Sequence, residues 1–203
     1  MIAWSIDAAK TSGVFDEVVV STDDAEIAAI ASQYGATVPF MRPPELSDDH
    51  AGTTEVIQHA IAWAERHGIV PETVCCLYAT APFVTPQALC DAFTLLAMTP
   101  CSYVFPVAPF DASVWRALRI TPQQRLEPVW PEFRLTRSQD LETLYHDVGQ
   151  FYVGRAAAWR VGEPVFGVGS RPIILEASAA QDIDTEDDWV RAERIFRAGE
   201  HRL

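Results

Sequence analysis

Two aspartates near the carboxyl end of the chain, Asp182 and Asp184, have the type and spacing that magnesium chemistry uses. On an extended segment, side chains at positions i and i+2 project to the same side, with Cα atoms roughly 6–7 Å apart. Two carboxylates so placed could offer hard oxygen ligands to one Mg²⁺, which usually keeps several waters and bridges carboxylates to substrate phosphates. The pair predicts a metal site that acts on a phosphorylated substrate.

A structural interpretation of the same acidic run competes with the metal site. Thr185 is a typical helix N-cap, Asp188 stands at the capping-box position, and acidic residues in a first turn suit the helix dipole. This cap explains the residues from Thr185 to Asp188 but leaves Asp182 and Asp184, which precede it, without a structural role. Both are therefore candidate metal ligands and catalytic residues.

Length, composition and charge limit the possible functions. The chain has 203 residues, of which 49% are hydrophobic, enough for one large domain with a packed core. The net charge is −13 and Lys10 is the only lysine, so an extended nucleic-acid surface is not expected. An anionic small substrate remains possible if arginines, helix N-termini or a metal offset the overall field.

The chain also lacks the patterns of a membrane protein or a disulfide-stabilised one. No stretch reaches the roughly 18 apolar residues of a membrane span, and no basic region followed by an apolar one opens the sequence, so we expect a cytoplasmic protein. The cysteines have no CxxC spacing; they are Cys75, Cys76, Cys90 and Cys101. Cys75 and Cys76 are neighbours in an apolar run and are interpreted as buried reduced thiols.

Hydrophobic periodicity indicates alternating strands and helices. The predicted helices are 1–12, a segment capped by Asp23 with Glu26, 54–67, 86–98, 155–161 and 186–197. The predicted strands are 17–21, 37–40, 73–78, 102–107, 149–153 and 171–175. This order predicts an α/β fold whose mostly parallel sheet has helices on both faces. Ligands of such sheets bind beyond the carboxyl ends of the strands, here 21–23, the loop after Phe40, and 78–82.

The segment from Pro106 to Glu142 breaks this alternation, because it is rich in proline and has little helical period. A structureless excursion of this length is unusual in a compact domain, so we expect short strands and a helix that project as an arm. Exposed Trp115, Trp130 and Phe133 would then mark a protein interface. The alternative is an excursion that folds back on its own core.

Five motifs, taken together and in order, resemble the acylneuraminate cytidylyltransferases, the CMP-sialic acid synthetases. They lie at 18–24 (Val-Val-Val-Ser-Thr-Asp-Asp), 42–49 (Arg-Pro-Pro-Glu-Leu-Ser-Asp-Asp), 77–83 (Leu-Tyr-Ala-Thr-Ala-Pro-Phe), 145–152 (Tyr-His-Asp-Val-Gly-Gln-Phe-Tyr) and 181–185 (Gln-Asp-Ile-Asp-Thr). The third and fourth look like the pseudaminic acid branch. The resemblance implies a Rossmann-like, nucleotide-diphospho-sugar-transferase-like domain over 1–203, with a dimerisation arm at about 106–145.

The resemblance also implies a reaction and a set of site residues. CTP and a nine-carbon α-keto sugar acid would give a CMP-sugar and pyrophosphate, with Mg²⁺ held by Asp182 and Asp184. The implied nucleotide-binding residues are Arg42, Ala51, Thr53, Tyr78 and Thr80. The implied sugar-binding residues are His146, Asp147, Gln150 and Tyr152. Three alternatives stay open, since Arg42 could form a surface ion pair, Tyr78 could pack in the core, and His146 could be a hydrogen-bonded structural residue or a general base.

One departure from the family pattern concerns the start of the sequence. The family begins with a central strand and an Ala-Arg-Gly-Gly-Ser-Lys-like phosphate loop, whereas Met1 to Ile6 here match the helix that follows that loop. We therefore expect an N-terminally truncated chain, weakened CTP binding, and a gap in the sheet between Val18–Val20 and Cys75–Leu77. The alternatives are an enzyme for another keto sugar acid (legionaminic, N-acetylneuraminic or 3-deoxy-manno-octulosonate) or a non-catalytic homologue that acts as an interaction protein.

Overall fold

The computed structural model describes residues 1–48, 50–176, 179–183 and 185–198. Its helices are α1 (Ile2–Ser12), α2 (Ala25–Gln33), α3 (Thr53–Arg66), α4 (Pro86–Met98), α5 (Ala156–Val161) and α6 (Glu186–Ala198). Its strands are β1 (Thr73–Leu77), β2 (Tyr103–Pro109), β3 (Leu118–Ile120), β4 (Leu126–Pro128), β5 (Tyr145–Asp147), β6 (Phe151–Arg155) and β7 (Ser170–Ile174). No helix in these ranges is long and apolar enough to cross a membrane.

Local signals fix the helix ends. Helix α1 stops at Gly13, whose φ of 67° is a left-handed C-cap that suits glycine. The Thr85 side chain accepts a hydrogen bond from the Ala88 N–H, and proline at the first turn then starts α4. The cap of α2 is Asp24, whose carboxylate accepts from the N–H groups of Glu26 and Ile27. The prediction that Asp23 is this cap is wrong. Asp23 and Asp24 are adjacent, and residue type alone does not tell which of two aspartates caps the helix.

The main sheet is mixed, so the prediction of a mostly parallel sheet is not confirmed. Its order is β1-β6-β2-β5, with β7 also paired to β2. Only the β2–β7 pair is parallel; the pairs of β6 with β1 and β2, and of β5 with β2, are antiparallel. The physical reason is that the arm, and not a crossover helix, connects β2 to β5, so the chain returns antiparallel to β2 along β5 and continues in the same direction into β6.

Helices cover both faces of this sheet, as the sequence predicted. Val104 of β2 and Phe151 and Val153 of β6 pack with α1 and α4, whereas Tyr103 and Tyr152, at alternate positions, pack with α3 and α5. The face toward α5 is anchored by Trp159, which is fully buried and donates its indole N–H to the Val74 carbonyl.

The predicted strands at 17–21 and 37–40 form a small parallel pair beside the main sheet. Their contacts are isolated bridges, Val19 to Thr37 and Thr22 to Met41, and not continuous strands. The Val20 N–H donates to the Thr37 carbonyl at 2.9 Å, and the Thr37 N–H donates to the Val18 carbonyl at 2.8 Å. The predicted gap between 18–20 and β1 coincides with a cavity of about 500 Å³.

The excursion forms a hairpin, β3–β4, and three short 3-10 helices at Val114–Arg116, Pro131–Phe133 and Ser138–Asp140. Trp115 packs against Trp130 and Phe133, with ring centroids 5.5 and 5.1 Å apart. The three aromatic residues are therefore half-buried in a cluster of their own, and the prediction that they are exposed is wrong. The large apolar side chains that the arm exposes are Phe110, Leu118, Ile120, Leu126 and Leu135.

Candidate functional site

The cavity lies between residues 17–22 and β1, and α1 and α3 contribute to its walls. Its apolar part is lined by Ile2, Ile6, Val20, Val56, Ile57 and Leu77. Its polar end, called the mouth, is lined by Ser21, Thr22, Arg42, Ala51, Thr53 and Tyr78. The mouth lies at the carboxyl ends of 18–22 and β1, where ligands of α/β sheets bind. Four of the five predicted nucleotide-binding residues therefore meet in one place.

Arg42 is held at the mouth by two neighbours. Its guanidinium donates to Asp23 Oδ1 and to Ser47 Oγ, each at 3.2 Å. The Asp23 side chain is 50% exposed, so the pair is a solvent-screened ion pair of low strength. The surface-pair interpretation of Arg42 and the pocket interpretation thus describe the same side chain, which lines the cavity while it contacts Asp23.

Tyr78 and Thr53 form the opposite side of the mouth. The Thr53 and Tyr78 hydroxyls are 2.9 Å apart, and the Tyr78 N–H donates to the Gln150 carbonyl. Burial is the main cause that raises the pKa of Tyr78, with smaller contributions from the Cys76 and Asp147 charges, while the Thr53 hydrogen bond lowers it. Tyr78 is therefore a neutral hydrogen-bond donor at physiological pH. Thr80, in contrast, is exposed and does not line the cavity.

The predicted sugar-binding residues form a second hydrogen-bonded group next to the first. The Tyr152 hydroxyl donates to Asp147 Oδ2 at 2.5 Å, and the Tyr152 ring meets the Tyr78 ring edge-on at 5.8 Å. Burial and then the Asp147 carboxylate raise the pKa of Tyr152, so its proton is retained. The two predicted sets, separated by about seventy residues of sequence, are thus joined through two tyrosine rings.

Two oxygens in this second group have no hydrogen-bond partner within the described ranges. They are Asp147 Oδ1 and Gln150 Oε1, and both are buried. The Gln150 amide nitrogen donates to the Ala179 carbonyl at 2.6 Å, which fixes the orientation of the side chain. Buried acceptors are normally satisfied, so these two oxygens require a partner that the described residues do not supply.

His146 is engaged by the protein itself. Its Nδ1 lies 2.7 Å from the Asp147 carbonyl oxygen, and its ring packs against Phe110 with centroids 5.0 Å apart. These contacts account for His146 as a hydrogen-bonded structural residue. Its roles as a sugar contact or general base stay predictions.

Asp182 lies against the turn that carries Gln150. A Cβ built on Gly149 would lie 2.6 Å from Asp182 Oδ2, and Asp182 Oδ1 accepts from the Ile183 N–H at 2.9 Å. Asp184 lies outside the described residues, so the predicted i and i+2 geometry is not observed. Across the described ranges no group of three or more His, Cys, Asp or Glu could hold a metal ion. An exposed carboxylate does suit Mg²⁺, which takes one or two carboxylates together with substrate phosphates.

The cap interpretation of the acidic run is confirmed for Thr185 and Asp188, and the metal interpretation of Asp182 and Asp184 stays a prediction. The Asp188 N–H donates to Thr185 Oγ1, and Asp188 Oδ2 accepts from the Thr185 N–H at 3.1 Å. Thr185 and Asp188 thus form the capping box of α6, and Asp182 is not part of it.

Ser21 belongs to the predicted ligand-binding strand end at 21–23 but was not among the predicted site residues; its buried hydroxyl lines the mouth and makes no hydrogen bond with a described residue. The signal was present, because Ser21 is the first polar residue after the β-branched run Val18–Val20, at a predicted strand end. Ser5 was also missed; its hydroxyl donates to the Tyr78 carbonyl at 2.9 Å and links α1 to the end of β1.

Known proteins resemble this chain over nearly all of its length. A family model described as cytidylyltransferase matches residues 1–117. The chain is 36% identical over 197 residues to a pseudaminic acid cytidylyltransferase of Campylobacter jejuni, covering 97% of this chain and 85% of the relative. It is 29% identical over 210 residues to the CMP-N,N'-diacetyllegionaminic acid synthase of Legionella pneumophila, covering 100% and 88%.

A solved structure gives the fold independently of sequence identity. A CMP:2-keto-3-deoxy-manno-octonic acid synthetase complexed with CTP superposes with a TM-score of 0.68 at 13% identity, over 97% of this chain and 87% of the other. At that identity the likeness establishes the α/β architecture alone. Together with the sequence matches, it leads to one conclusion: this chain belongs to the cytidylyltransferase family.

Proposed function

We propose that this protein transfers CMP from CTP to a nine-carbon α-keto sugar acid, with release of pyrophosphate, and that pseudaminic acid is the acceptor. The observation that carries the proposal is the contact between Tyr78 and Tyr152. This contact supports the proposal because it joins the mouth, which the nucleotide would occupy, to the cluster of Asp147 and Gln150, which would receive the sugar acid, and a two-substrate transferase requires two such adjacent sites. The identity to a pseudaminic acid cytidylyltransferase supports the choice of acceptor.

The triphosphate would bind at the mouth, where positive potential is available in an acidic protein. The Asp23 carboxylate is half exposed, so a phosphate can replace it on Arg42 and gain a charge-assisted hydrogen bond. Helix α3 begins at Thr53 without a side-chain cap, so its first N–H groups and positive dipole end lie beside the same position. Thr53 and Tyr78 then supply hydroxyls for the nucleotide.

The sugar acid would bind on the Asp147 side of the tyrosine pair. Asp147 Oδ1 and Gln150 Oε1 are acceptors, so they select a ligand with several O–H and N–H donors, as a hydroxylated and acylaminated sugar has. Tyr152 holds the Asp147 carboxylate in place through Oδ2. His146 Nδ1 is held by the backbone, so a contact from His146 to the sugar would use Nε2.

Asp182 and Asp184 would hold Mg²⁺, which would neutralise phosphate charge and favour nucleophilic attack at the α-phosphorus. Asp182 borders the turn at 148–150 and thereby the sugar cluster. The sugar hydroxyl forms the new bond to the α-phosphorus as the bond to the pyrophosphate oxygen breaks. The task of the side chains is to align these groups and to stabilise the charge, as in phosphoryl transfer generally. CTP supply places the reaction in the cytoplasm.

A homodimer formed through the arm completes the proposal. On the hairpin, Ile120 is paired with Leu126 and Leu118 with Pro128, and the three aliphatic side chains are exposed. Residues 111–142 carry five arginines and five acidic residues, so the arm is neutral in a chain of net charge −13 and suits the acidic surface of a second copy. A twofold arrangement would be the usual closure.

The test is pyrophosphate release from CTP and Mg²⁺ with a panel of acceptors: pseudaminic, legionaminic, N-acetylneuraminic and 3-deoxy-manno-octulosonic acids. We expect release to depend on CTP and to be fastest with pseudaminic acid. UTP and ATP serve as nucleotide controls. Pyrophosphate release with only one of the other sugar acids would identify that acid, and not pseudaminic acid, as the acceptor. No pyrophosphate release with any acid at millimolar CTP would refute the transferase proposal.

A further inference from the structure

We propose that Gln150 is a positioning residue for the metal site: its side-chain amide holds the segment 179–182 and thereby fixes the Asp182 carboxylate relative to the nucleotide mouth. This role rests on the proposed function, because it concerns the metal that cytidylyl transfer would use. It differs from the sugar contact that the family resemblance implies for Gln150, since the atom concerned is the amide nitrogen Nε2 and not the oxygen Oε1.

The side chain of Gln150 is buried and directs its nitrogen to the segment that carries the metal ligand. Gln150 is 1% exposed, and its Nε2 donates to the Ala179 carbonyl at 2.6 Å. A buried amide group is costly unless it is hydrogen-bonded, so this bond sets the orientation of the side chain. Asparagine is one methylene shorter and would lose the bond. The length of glutamine is therefore what joins this position to Ala179.

A short stretch of chain connects Ala179 to Asp182. Within it Gln181 is buried, and its Nε2 donates to the Asp182 carbonyl at 2.6 Å. The Asp182 carboxylate lies against Gly149, where an added Cβ would be 2.6 Å from Oδ2. Two consecutive residues of one turn, Gly149 and Gln150, thus contact the two ends of the segment 179–182. Because the segment is so short, a shift of Ala179 would also move the Asp182 carboxylate.

The main chain of Gln150 ties the same turn to the nucleotide mouth. Its carbonyl accepts a hydrogen bond from the Tyr78 N–H at 3.0 Å, and the next residue, Phe151, pairs with Leu77 of β1. Gln150 thus contacts the mouth through its main chain and the segment 179–182 through its side chain. Charge stabilisation in phosphoryl transfer requires that the groups around the phosphate be held in fixed relative positions. Gln150 supplies such a fixed connection between the nucleotide and the metal ligand.

Gln58 offers a matched comparison within the same chain. Its Nε2 donates to the Trp159 carbonyl at 2.9 Å and so links α3 to α5. Loss of either glutamine removes a side-chain hydrogen bond to the main chain of a distant segment, so the two substitutions should affect folding in a similar way. Of the two, Gln150 alone is bonded to the segment 179–182. An effect on metal binding should therefore appear at Gln150 and not at Gln58.

The test is a titration of the complete 203-residue protein with Mn²⁺ alone, followed by electron paramagnetic resonance, without CTP or a sugar acid. Gln150→Met should weaken Mn²⁺ binding about tenfold, as loss of a residue that orients a metal ligand does. Gln150→Asn, which keeps an amide but is too short to reach Ala179, should weaken it as well. Gln58→Met should leave the Mn²⁺ affinity unchanged. A contact from Oε1 to the sugar acid would not alter Mn²⁺ binding to the free protein, so this measurement reports on Nε2.

Turnover gives a second measurement of the same role. The Mg²⁺ concentration for half-maximal rate should rise in Gln150→Met by a similar factor. KM for CTP should stay unchanged, because Tyr78 is bonded to the main chain of Gln150 and not to its side chain. The unfolding midpoint of each variant verifies that it is folded at the temperature of the titration, and Gln150→Asn replaces Gln150→Met if the latter does not fold.

The outcomes separate this role from the proposed function. An unchanged Mn²⁺ affinity in a folded Gln150 variant would overturn the role, and so would an equal loss in Gln58→Met, since a general loosening of the fold would then explain both. An original protein that does not bind Mn²⁺ would overturn it together with the assignment of Asp182 to the metal. Absence of pyrophosphate release with every sugar acid would instead refute the proposed function, and the Mn²⁺ titration of the free protein would still decide the role of Gln150.

Discussion

A Cβ on Gly149 would stand 2.6 Å from Oδ2 of Asp182, closer than real Cβ contacts come. Gly149 also has a φ of +66°, which disfavours any other residue. Gly149→Ala should therefore displace the Asp182 carboxylate and weaken Mn²⁺ binding, measured by electron paramagnetic resonance, about tenfold. Gly162→Ala is the matched control, since Gly162 has the same φ but its nearest neighbour is 3.6 Å away.

Both glycine variants should lose about 1–2 kcal/mol of stability from the backbone conformation. Only Gly149→Ala should change the metal affinity. Equal Mn²⁺ affinity in the two variants would remove Asp182 from the metal site, because backbone strain alone would then explain the effect.

Substitution of the second aspartate tests the metal more directly. Asp184→Asn should lower kcat by about 10²-fold or more while the unfolding midpoint stays within error, because a lost ligand affects transition-state charge more than folding. Turnover against Mg²⁺ concentration is the measurement. Normal kcat with an unchanged Mg²⁺ dependence would assign the acidic run to the helix cap alone.

The two tyrosines should separate the substrates kinetically. Tyr78→Phe removes the bond to Thr53 and should raise KM for CTP, whereas Tyr152→Phe releases the Asp147 carboxylate and should raise KM for the sugar acid. Tyr152→Phe should also cost about 1–3 kcal/mol of stability, because it leaves a part-buried carboxylate oxygen without its donor. If both variants changed the KM of the same substrate, the assignment of Tyr78 to the CTP side and Tyr152 to the sugar-acid side would be wrong.

Stability should fall in alkaline solution because of buried thiols. Burial raises the pKa of Cys76 from 9.0 to about 12, and that of Cys75 in the same direction. A thiol is neutral when protonated, so the folded state retains a proton that the unfolded chain loses. The resulting stabilisation of the folded state is complete below pH 9. For Cys76 it is lost as the pH rises toward 12, by about 1.4 kcal/mol per pH unit, and Cys75 adds a loss in the same direction.

Urea unfolding at pH 8.5, 9.5 and 10.5 measures this slope. Cys76→Ala should reduce the pH dependence of the free energy of unfolding by the contribution of one thiol, whatever the variant's absolute stability. An identical slope in the variant and the original protein would show that the Cys76 thiol ionises equally in the folded and unfolded states.

The hairpin of the arm should carry the dimer. Deletion of residues 111–140 is expected to give a monomer with impaired sugar-acid binding. Leu126→Lys is a milder change that places a charge on the exposed face of β4 and should weaken association in light scattering. Leu135→Lys is the control, because Leu135 is 86% exposed but lies outside the hairpin. A full-length protein that is monomeric at micromolar concentration would contradict the dimer.

The sequence predicted local structure well where strong local signals exist. Periodicity and capping residues located the six α-helices of the described residues, and the predicted bounds of α4 are those observed, because Thr85 and Pro86 mark its start unambiguously. Strand direction was not predictable in the same way. Nothing in the residues of β6 distinguishes parallel from antiparallel pairing with β1, since the direction depends on how the chain returns from the arm.

The candidate site shows the same division between local and long-range information. Motif positions indicated Arg42, Thr53 and Tyr78, and the structure brings them to one mouth. The contact between Tyr78 and Tyr152 was beyond sequence reasoning, because it depends on the pairing of β1 with β6. Thr80 shows the converse limit, since it belongs to a motif but lies outside the cavity.

The most direct measurement of cytidylyl transfer follows the α-phosphate of CTP. With α-labelled CTP, Mg²⁺ and pseudaminic acid, we expect the label to appear in a CMP-sugar and unlabelled pyrophosphate to be released in equal amount. Label that remains in CTP, or that appears as free CMP at the same rate with and without the sugar acid, would contradict transfer as the function of this site.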